Sequence, residues 1–259
     1  MLARVMSVLE RLATSEKGRG VNELARELRL PPSSVHRILR ALTALDYVHQ
    51  DEPLRTYALT PRLFQLGMAM GGRIDLRVLA RPELEMLSVA TREDVGLTIL
   101  DERDILCIDH IQGRYASKSE PIVGVRMPAF CTSAGRCLLS SRPDGKEIIR
   151  GSVRTAFTGR TLTDLKSLTS QLNLARRNGY AVAVEEWHKR VSSVSAPIMS
   201  GSGEALAALS VFGKSERIRS HLRDYAELLL SATDAVSQRL RGGLPLRPAA
   251  KRQVLERND

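Results

Sequence analysis

Two adjacent prolines, Pro31 and Pro32, interrupt a helical repeat near the start of the chain, in LRLPPSSVHRILRALTALDYV (residues 28–48). A proline lacks the backbone donor and clashes with the preceding turn, so no single helix runs through this stretch. It must be two helices joined by a sharp break. Upstream, VNELARELRL (21–30) sets Val21, Leu24, Ala25 and Leu28 on one side of a helix that Asn22 or a neighbour suits as a cap. Downstream, Val35, Ile38, Leu39, Leu42 and Leu45 recur at helical spacing on one inward face. Pro32 or the serines fit the first turn of that helix, where missing donors matter least. MLARVMSVLERLA supplies a further amphipathic helix ahead of a turn at SEKGRG (15–20). Glu10 and Arg11 inside its apolar pattern, and no small-residue cleavage site, make it a helix and not a signal peptide.

Helix, break and third helix form a helix-turn-helix. YVHQDEPLRTYALT (47–60) follows as two β-prone ends around a charged turn, a hairpin where a wing would stand. With its apolar face turned inward, the third helix leaves Ser33, Ser34, His36, Arg37 and Arg40 to solvent. Serine reads any base, Arg37 can bond guanine with both guanidinium arms, and His36 can reach a base or a phosphate. Arg40, one turn further on, suits the DNA backbone. In the hairpin, Arg55 and Tyr57 are placed to straddle a phosphate or the minor groove. Taken singly, the serines merely cap and the arginines merely solubilise. The joint pattern within about 60 residues, the size of a small autonomous domain, favours duplex DNA. Residues 1–60 are only modestly positive, so affinity is expected to depend on dimerisation and two half-sites.

Composition agrees. Lysine and arginine outnumber acidic residues 39 to 29 in 259 residues, a net charge of +10 that favours an anionic partner over mere solubility only in combination with the helices. Aromatics at 4% disfavour a single-strand binder that stacks bases. No run of eighteen apolar residues exists, so no membrane span is expected. The three cysteines, Cys107, Cys131 and Cys137, are odd in number and lack C-x-x-C pairing, which argues against a disulfide scaffold or structural zinc and fits a reducing cytoplasm.

PRLFQLGMAMGGRID (61–75) reads as a linking helix ending at Gly71-Gly72, and RVLARPELEMLSVAT (77–91) as the next helix. Residues 95–113 and 192–213 are hairpins turned at Asp101–Asp104 and at Gly201-Ser202-Gly203. A helix over 162–182 stops at Asn178-Gly179, one long helix covers 215–240, and a loose basic tail follows. Strands and helices do not alternate strictly, so the second domain is α+β.

VNELARELRLPPSSVHRILRALTALDYV, TYALTPRLFQLG, CTSAGRCLLS, LTDLKSLTSQLNLARRNGYAVAVEE and SSVSAPIMSGSGEALAALSVFG, in that order, resemble the IclR family of bacterial transcriptional regulators over residues 3–240. The resemblance implies a winged helix-turn-helix (1–60), a linking helix (61–75), a GAF-like effector-binding domain (76–240) and a flexible basic tail (241–259). It implies a homodimer or homotetramer on a palindromic double-stranded operator, responding to a small-molecule effector such as a carboxylate or aromatic acid. Ser133, Ala134, Ala183, Val191 and Ser193 match the family's pocket positions. Ala183 stands where members frequently have an acid and Arg190 where they usually have glycine, which argues against transferring a member's ligand.

From the residues themselves, TSAG (132–135) lets a backbone approach a ligand and offers helix amides to an anion, although it also eases packing. Glu185 and Glu186, adjacent on a strand, should face opposite ways and form no catalytic pair. Ion pairing or pocket-edge hydrogen bonding suits them better. Trp187 and His188 stand either at a pocket mouth or simply packed and solvated. Cys107 and His110, three apart on a strand, should also face opposite ways and make a poor metal pair. Nothing marks an activated cysteine, and no nucleotide or H-E-x-x-H motif occurs, so neither catalysis nor a metal or cofactor is expected. The rival is a non-catalytic metabolite-binding module whose N-terminal helices contact protein.

Overall fold

The computed structural model describes residues 2–15, 17–68, 73–115 and 122–241. The chain divides into two compact units, Met1–Ile74 and Asp75–Asp259. The glycine stop at 71–72 and the tail beyond Arg241 lie outside the described residues.

The first unit runs α1 (Leu2–Ala13), α2 (Val21–Leu28), α3 (Pro32–Ala44), β1 (Val48–Asp51), β2 (Thr56–Leu59) and α4 (Arg62–Met68). Val8, Leu12, Leu24, Val35, Ile38, Leu39, Leu42 and Val48 close one core between the helices and the hairpin. Gly20 precedes α2 with no side-chain cap, so Asn22 does not cap it. The break after α2 is made by Arg29, left-handed at φ 53, while Leu30 N–H reaches back to Ala25 C=O at 2.9 Å. That is a helix stop of the kind glycine usually provides. Pro32 then opens α3, and the Pro31 carbonyl accepts from Ser34 and Val35. Leu45 departs from expectation: it lies one residue past the helix, outside its repeat, and is 63% exposed.

The hairpin is fastened at its root, where Arg19 and Tyr57 exchange backbone bonds of 2.9 and 2.8 Å. Gly18, at φ +71, lies so close that a Cβ would meet the Tyr57 carbonyl at 2.6 Å.

The second unit contains α5 (Arg73–Thr91), β3 (Asp94–Asp101), β4 (Asp104–Ile111), β5 (Arg126–Pro128), a 3-10 turn (Ala129–Cys131), α6 (Ser133–Ser140), α7 (Gly145–Gly151), α8 (Leu165–Asn178), β6 (Ala181–Val184), β7 (Val191–Met199), β8 (Ala205–Lys214), α9 (Ser215–Ser220) and α10 (Leu222–Arg241). The sheet is antiparallel in the order β5-β4-β3-β8-β7-β6. Val95, Leu97, Val194, Ala196 and Val211 pack one face against Leu84 and Leu87 of α5 and Leu229 and Val236 of α10. Ile105, Ala181 and Ala208 on the other face meet Leu138 of α6 and Leu168 and Leu172 of α8. Gly179, left-handed at φ 77, ends α8 where its sequence predicts. The long C-terminal helix is instead two, α9 and α10, separated at His221, whose backbone (φ −113, ψ 19) leaves the helical region.

A β-bulge between Leu97 and Thr98 changes one reading. Gly96 pairs with His110 and Thr98 with Cys107, so Ile108 is the inserted residue. The insertion puts Cys107 and His110 on the same face despite their odd spacing.

Candidate functional site

The solvent stripe of α3 carries Ser33, His36, Arg37 and Arg40, all exposed, with Ser34 half-buried beside them. The stripe lies opposite buried Val35, Ile38, Leu39 and Leu42. No side chain caps the helix, so the serine hydroxyls are not engaged there. Among the described residues, His36, Arg37, Arg40 and Arg55 form no ion pair or side-chain hydrogen bond. Arg19, nearby in sequence, is tied to Glu23 at 2.6 Å and to Glu27 at 2.5 Å. Arg55 is exposed at the hairpin tip in a left-handed conformation, φ 51. Tyr57 does not join this surface. It faces the core at 6% exposure, drawn in by its backbone bridge to Arg19, and its hydroxyl donates to Gln50 Oε1 at 3.0 Å.

In the second unit, the sheet face under α6 opens into a cavity of about 480 Å³. Ser133, Ala134, Ala183, Val191 and Ser193 all line it. α6 directs its first turn at the cavity. Thr132 caps the helix by accepting from Gly135 N–H at 3.2 Å, which leaves the Ser133 and Ala134 amides without an intrahelical acceptor. Gly135 is required here, because a Cβ would lie 2.2 Å from the Ala129 carbonyl.

A chain of hydroxyls crosses the floor. Ser133 Oγ donates to Ser193 Oγ at 2.7 Å, Ser195 Oγ stands 2.6 Å from Ser133, and Ser210 Oγ stands 2.7 Å from Ser195. Each hydroxyl has one proton. With Ser133 donating to Ser193, Ser195 must donate to Ser133 and Ser210 to Ser195. The Ser193 proton is left over, and among the described residues nothing accepts it. Ala183, its register partner on β6, has no acceptor to offer.

The rim is held by buried ion pairs. Arg136, 1% exposed, grips Glu186 with both guanidinium arms, Nη1 donating to Oε1 at 2.7 Å and Nη2 to Oε2. Its Nε donates to Phe130 C=O at 3.1 Å and Nη1 also to Val182 C=O at 3.2 Å. Glu185 and Glu186 follow β6 instead of lying in it, and Glu185 turns left-handed at φ 55, so strand alternation does not govern them. Trp187 lines the cavity and packs edge-on against Phe157 at 4.3 Å; His188 lines it too but is exposed. Arg190 is left-handed at φ 63, a conformation that glycine adopts without strain.

At the other end, Arg217 binds Glu93 through Nε–Oε1 at 2.5 Å and Nη2–Oε2 at 2.7 Å and lies 4.8 Å over the Tyr115 ring. This pairing raises the Arg217 pKa. Gly213 makes room for it, since a Cβ there would meet Glu93 Oε2 at 2.3 Å. Burial pushes the thiols up, Cys107 to about 11 and Cys131 and Cys137 to about 12, which leaves them protonated at neutral pH. No group of three or more potential metal ligands occurs among the described residues. Asp94, Phe212, Ser210 and Arg217 were not foreseen from sequence.

Residues 68–238 match the family described as "Bacterial transcriptional regulator IclR C-terminal", and residues 1–52 match the "IclR helix-turn-helix domain". The Pca regulon regulatory protein of Pseudomonas putida is 32% identical over 250 residues, covering 93% of this chain and 84% of its own. The HTH-type transcriptional regulator KdgR of Escherichia coli is 29% identical over 240 residues, 92% and 91% of the two chains. An IclR homolog from Microbacterium hydrocarbonoxydans, solved in complex with 4-hydroxybenzoate, superposes with a TM-score of 0.80 at 25% identity over 93% of this chain and 99% of that one. Thermotoga maritima IclR shares the fold with a TM-score of 0.78 at 22% identity, over 92% and 98% of the chains.

Proposed function

The chain belongs to the IclR family of bacterial transcriptional regulators, and we propose that its α3 stripe reads an operator while the 480 Å³ cavity holds a small organic acid. Ser33, Ser34, His36 and Arg37 meet base edges, and Arg40 and Arg55 meet phosphates. What supports this assignment is that the cations of the stripe are left without internal partners. Tyr57 is withdrawn from the set, because its side chain holds the hairpin to the core.

The acid is assigned from one observation above all: the leftover proton of Ser193 lies in the cavity lining beside the free amides of Ser133 and Ala134. Three donors without acceptors converge where a carboxylate would supply two oxygens. The relative from Microbacterium hydrocarbonoxydans carries such an acid, 4-hydroxybenzoate.

Residues 1–60 then read DNA, 61–75 link, and 76–240 sense the effector. The protein acts in the cytoplasm as a dimer or tetramer on two half-sites, without catalysis of its own. The acid changes operator occupancy through its differential affinity for two arrangements of the dimer, transmitted through residues 61–81.

Fluorescence anisotropy on a duplex taken from beside the gene tests the reading. Salt-dependent binding that an organic acid shifts is expected. Binding no tighter than to a scrambled duplex, with or without acids, would overturn it.

A further inference from the structure

The cavity rim carries cations that the contacts at Ser133, Ala134 and Ser193 do not use. Lys214 ends β8 and lines the cavity, and its register partner Val191, the first residue of β7, lines it too. Arg190 precedes Val191, and its carbonyl accepts from Ser215 N–H at 2.8 Å, which fastens it beside Lys214. Lys189 stands in the same turn, closed where Val191 N–H donates to His188 C=O at 3.3 Å. Lys189, Arg190 and Lys214 are all exposed. Among the described residues none of them forms an ion pair or a side-chain hydrogen bond.

The neighbouring carboxylates do not cancel these charges. Glu93 is held by Arg217, Glu186 by Arg136 and Glu185 by Arg160, and Asp94 faces His110. Glu216, exposed at the start of α9, is the acid on these elements that has no such partner among the described residues. Three free cations against one free acid leave the rim positive. The backbone of Arg190 adds an independent observation. It is left-handed at φ 63, where a side chain is strained and glycine is not. The turn itself needs no side chain at this position, so what the arginine contributes is its charge.

We propose that Lys189, Arg190 and Lys214 form a cationic collar that concentrates anions at the cavity rim, so that an acid enters faster than a neutral molecule of the same shape. The collar takes its purpose from the acid reading above and adds selection at entry, before any contact inside the cavity is made. In water, a unit charge about 7 Å away raises the local concentration of a monovalent anion about twofold in 10 mM salt. In 1 M salt the same charge does almost nothing, because screening acts within about 3 Å. Charges of one sign around a cleft act together, so three of them give about five- to tenfold.

Trp187, the single tryptophan of the chain, lines the same cavity, so collisional quenching of its fluorescence in the full chain reads the local anion concentration with no effector present. Iodide, caesium and acrylamide serve as anionic, cationic and neutral quenchers, each scaled to its quenching of free N-acetyltryptophanamide. In 10 mM salt iodide should quench at least about threefold more steeply than caesium, and the excess should vanish in 1 M salt. Arg190→Gly should lower the iodide slope about twofold without lowering the melting temperature, since it removes a charge and a strained backbone together. Lys189→Gln/Arg190→Gly/Lys214→Gln should lower it about five- to tenfold and leave acrylamide quenching unchanged. The comparison of quenchers on the unmodified protein decides the matter even if the triple variant fails to fold. Iodide no steeper than caesium would overturn the collar. So would an iodide slope unchanged in the triple variant, or an equal fall for acrylamide, which would mean that the substitutions only cover Trp187. The acid reading fails separately, when no organic acid shifts operator binding; an iodide excess would then leave the collar standing.

Discussion

Replacing Glu186 by glutamine isolates the energetics of the cavity rim. Arg136 is 1% exposed and its guanidinium is enclosed, with Glu186 as its only carboxylate partner among the described residues. Glutamine has nearly the same shape but no charge, so the cation is left in a low-dielectric site with nothing to neutralise it. Its amide also turns a donor toward the Arg136 N–H groups or toward Leu162 N–H, which now bonds Glu186 Oε2 at 3.2 Å. Removing one partner of a buried pair costs about 3–5 kcal/mol. The chain has a single tryptophan, Trp187, adjacent to the mutated residue, so its fluorescence reports unfolding of this unit alone. With a urea dependence of about 2 kcal/mol per molar, the midpoint should fall by about 1.5–2.5 M. The double variant Arg136→Met/Glu186→Leu should recover much of the loss, because it removes the stranded charge with its partner. A midpoint shift below about 0.3 M for Glu186→Gln would refute the argument, since it corresponds to less than about 0.6 kcal/mol.

Arg37→Ala should relax base preference at one operator position by about 1–3 kcal/mol, whereas Arg40→Ala should weaken all duplexes alike and lower the salt slope by about one; anisotropy titrations at several salt concentrations distinguish the two, and equal effects would refute the division of roles. Ser193→Ala should weaken a bound organic acid by about tenfold or more in calorimetry, and an unchanged affinity would remove Ser193 from the site. Burial raises the Cys137 thiol from 9.0 to about 12, so above pH 9 the unfolded chain releases a proton that the folded chain keeps. The stabilisation is complete below pH 9 and declines by up to about 1.4 kcal/mol per pH unit between 9 and 12. Cys137→Ala should flatten the alkaline decline in Trp187-monitored stability, and an unchanged slope would show that the thiol ionises in the folded state.

The helix-turn-helix was legible because its signals are local. Proline chemistry fixes the start of α3, and a 3.6-residue repeat fixes which residues face out. Tyr57 and Leu45 escaped the same logic for separate reasons. The first is turned inward by a backbone bridge to Arg19, thirty-eight residues away in sequence; the second lies just past the point where the helix, and hence its periodicity, stops. The cavity was legible only in part. Ser133 and Ala134 lie in the small-residue run TSAG, which a local reading also marks, whereas Ala183, Val191 and Ser193 came from resemblance alone. Asp94 pairs with Phe212 and Phe212 with Ser193, a row that depends on the register of three strands distant in sequence, which alternation cannot supply. Alternation even misleads at Cys107 and His110, where one inserted residue restores a common face.

What a given arginine can offer a polyanion depends on whether a carboxylate already holds it. Four arginines of the second unit close structure: Arg136 on Glu186, Arg217 on Glu93, Arg239 on Glu83, and Arg81 on Asp109. Each such cation is matched by a carboxylate and offers little net field to a polyanion. On α3, Arg37 and Arg40 have no carboxylate beside them among the described residues, so each retains a whole charge for a phosphate or a guanine. Binding to DNA gains from release of condensed counterions, one for each phosphate neutralised, and only an unpaired cation displaces one without first giving up a partner. Arg19 makes the contrast within a single unit: tied to Glu23 and Glu27, it fixes the fold beside the wing and is withheld from the groove. Placing an acid one turn from Arg40, as in Arg37→Glu, would therefore lower DNA affinity by more than the loss of the Arg37 contact alone.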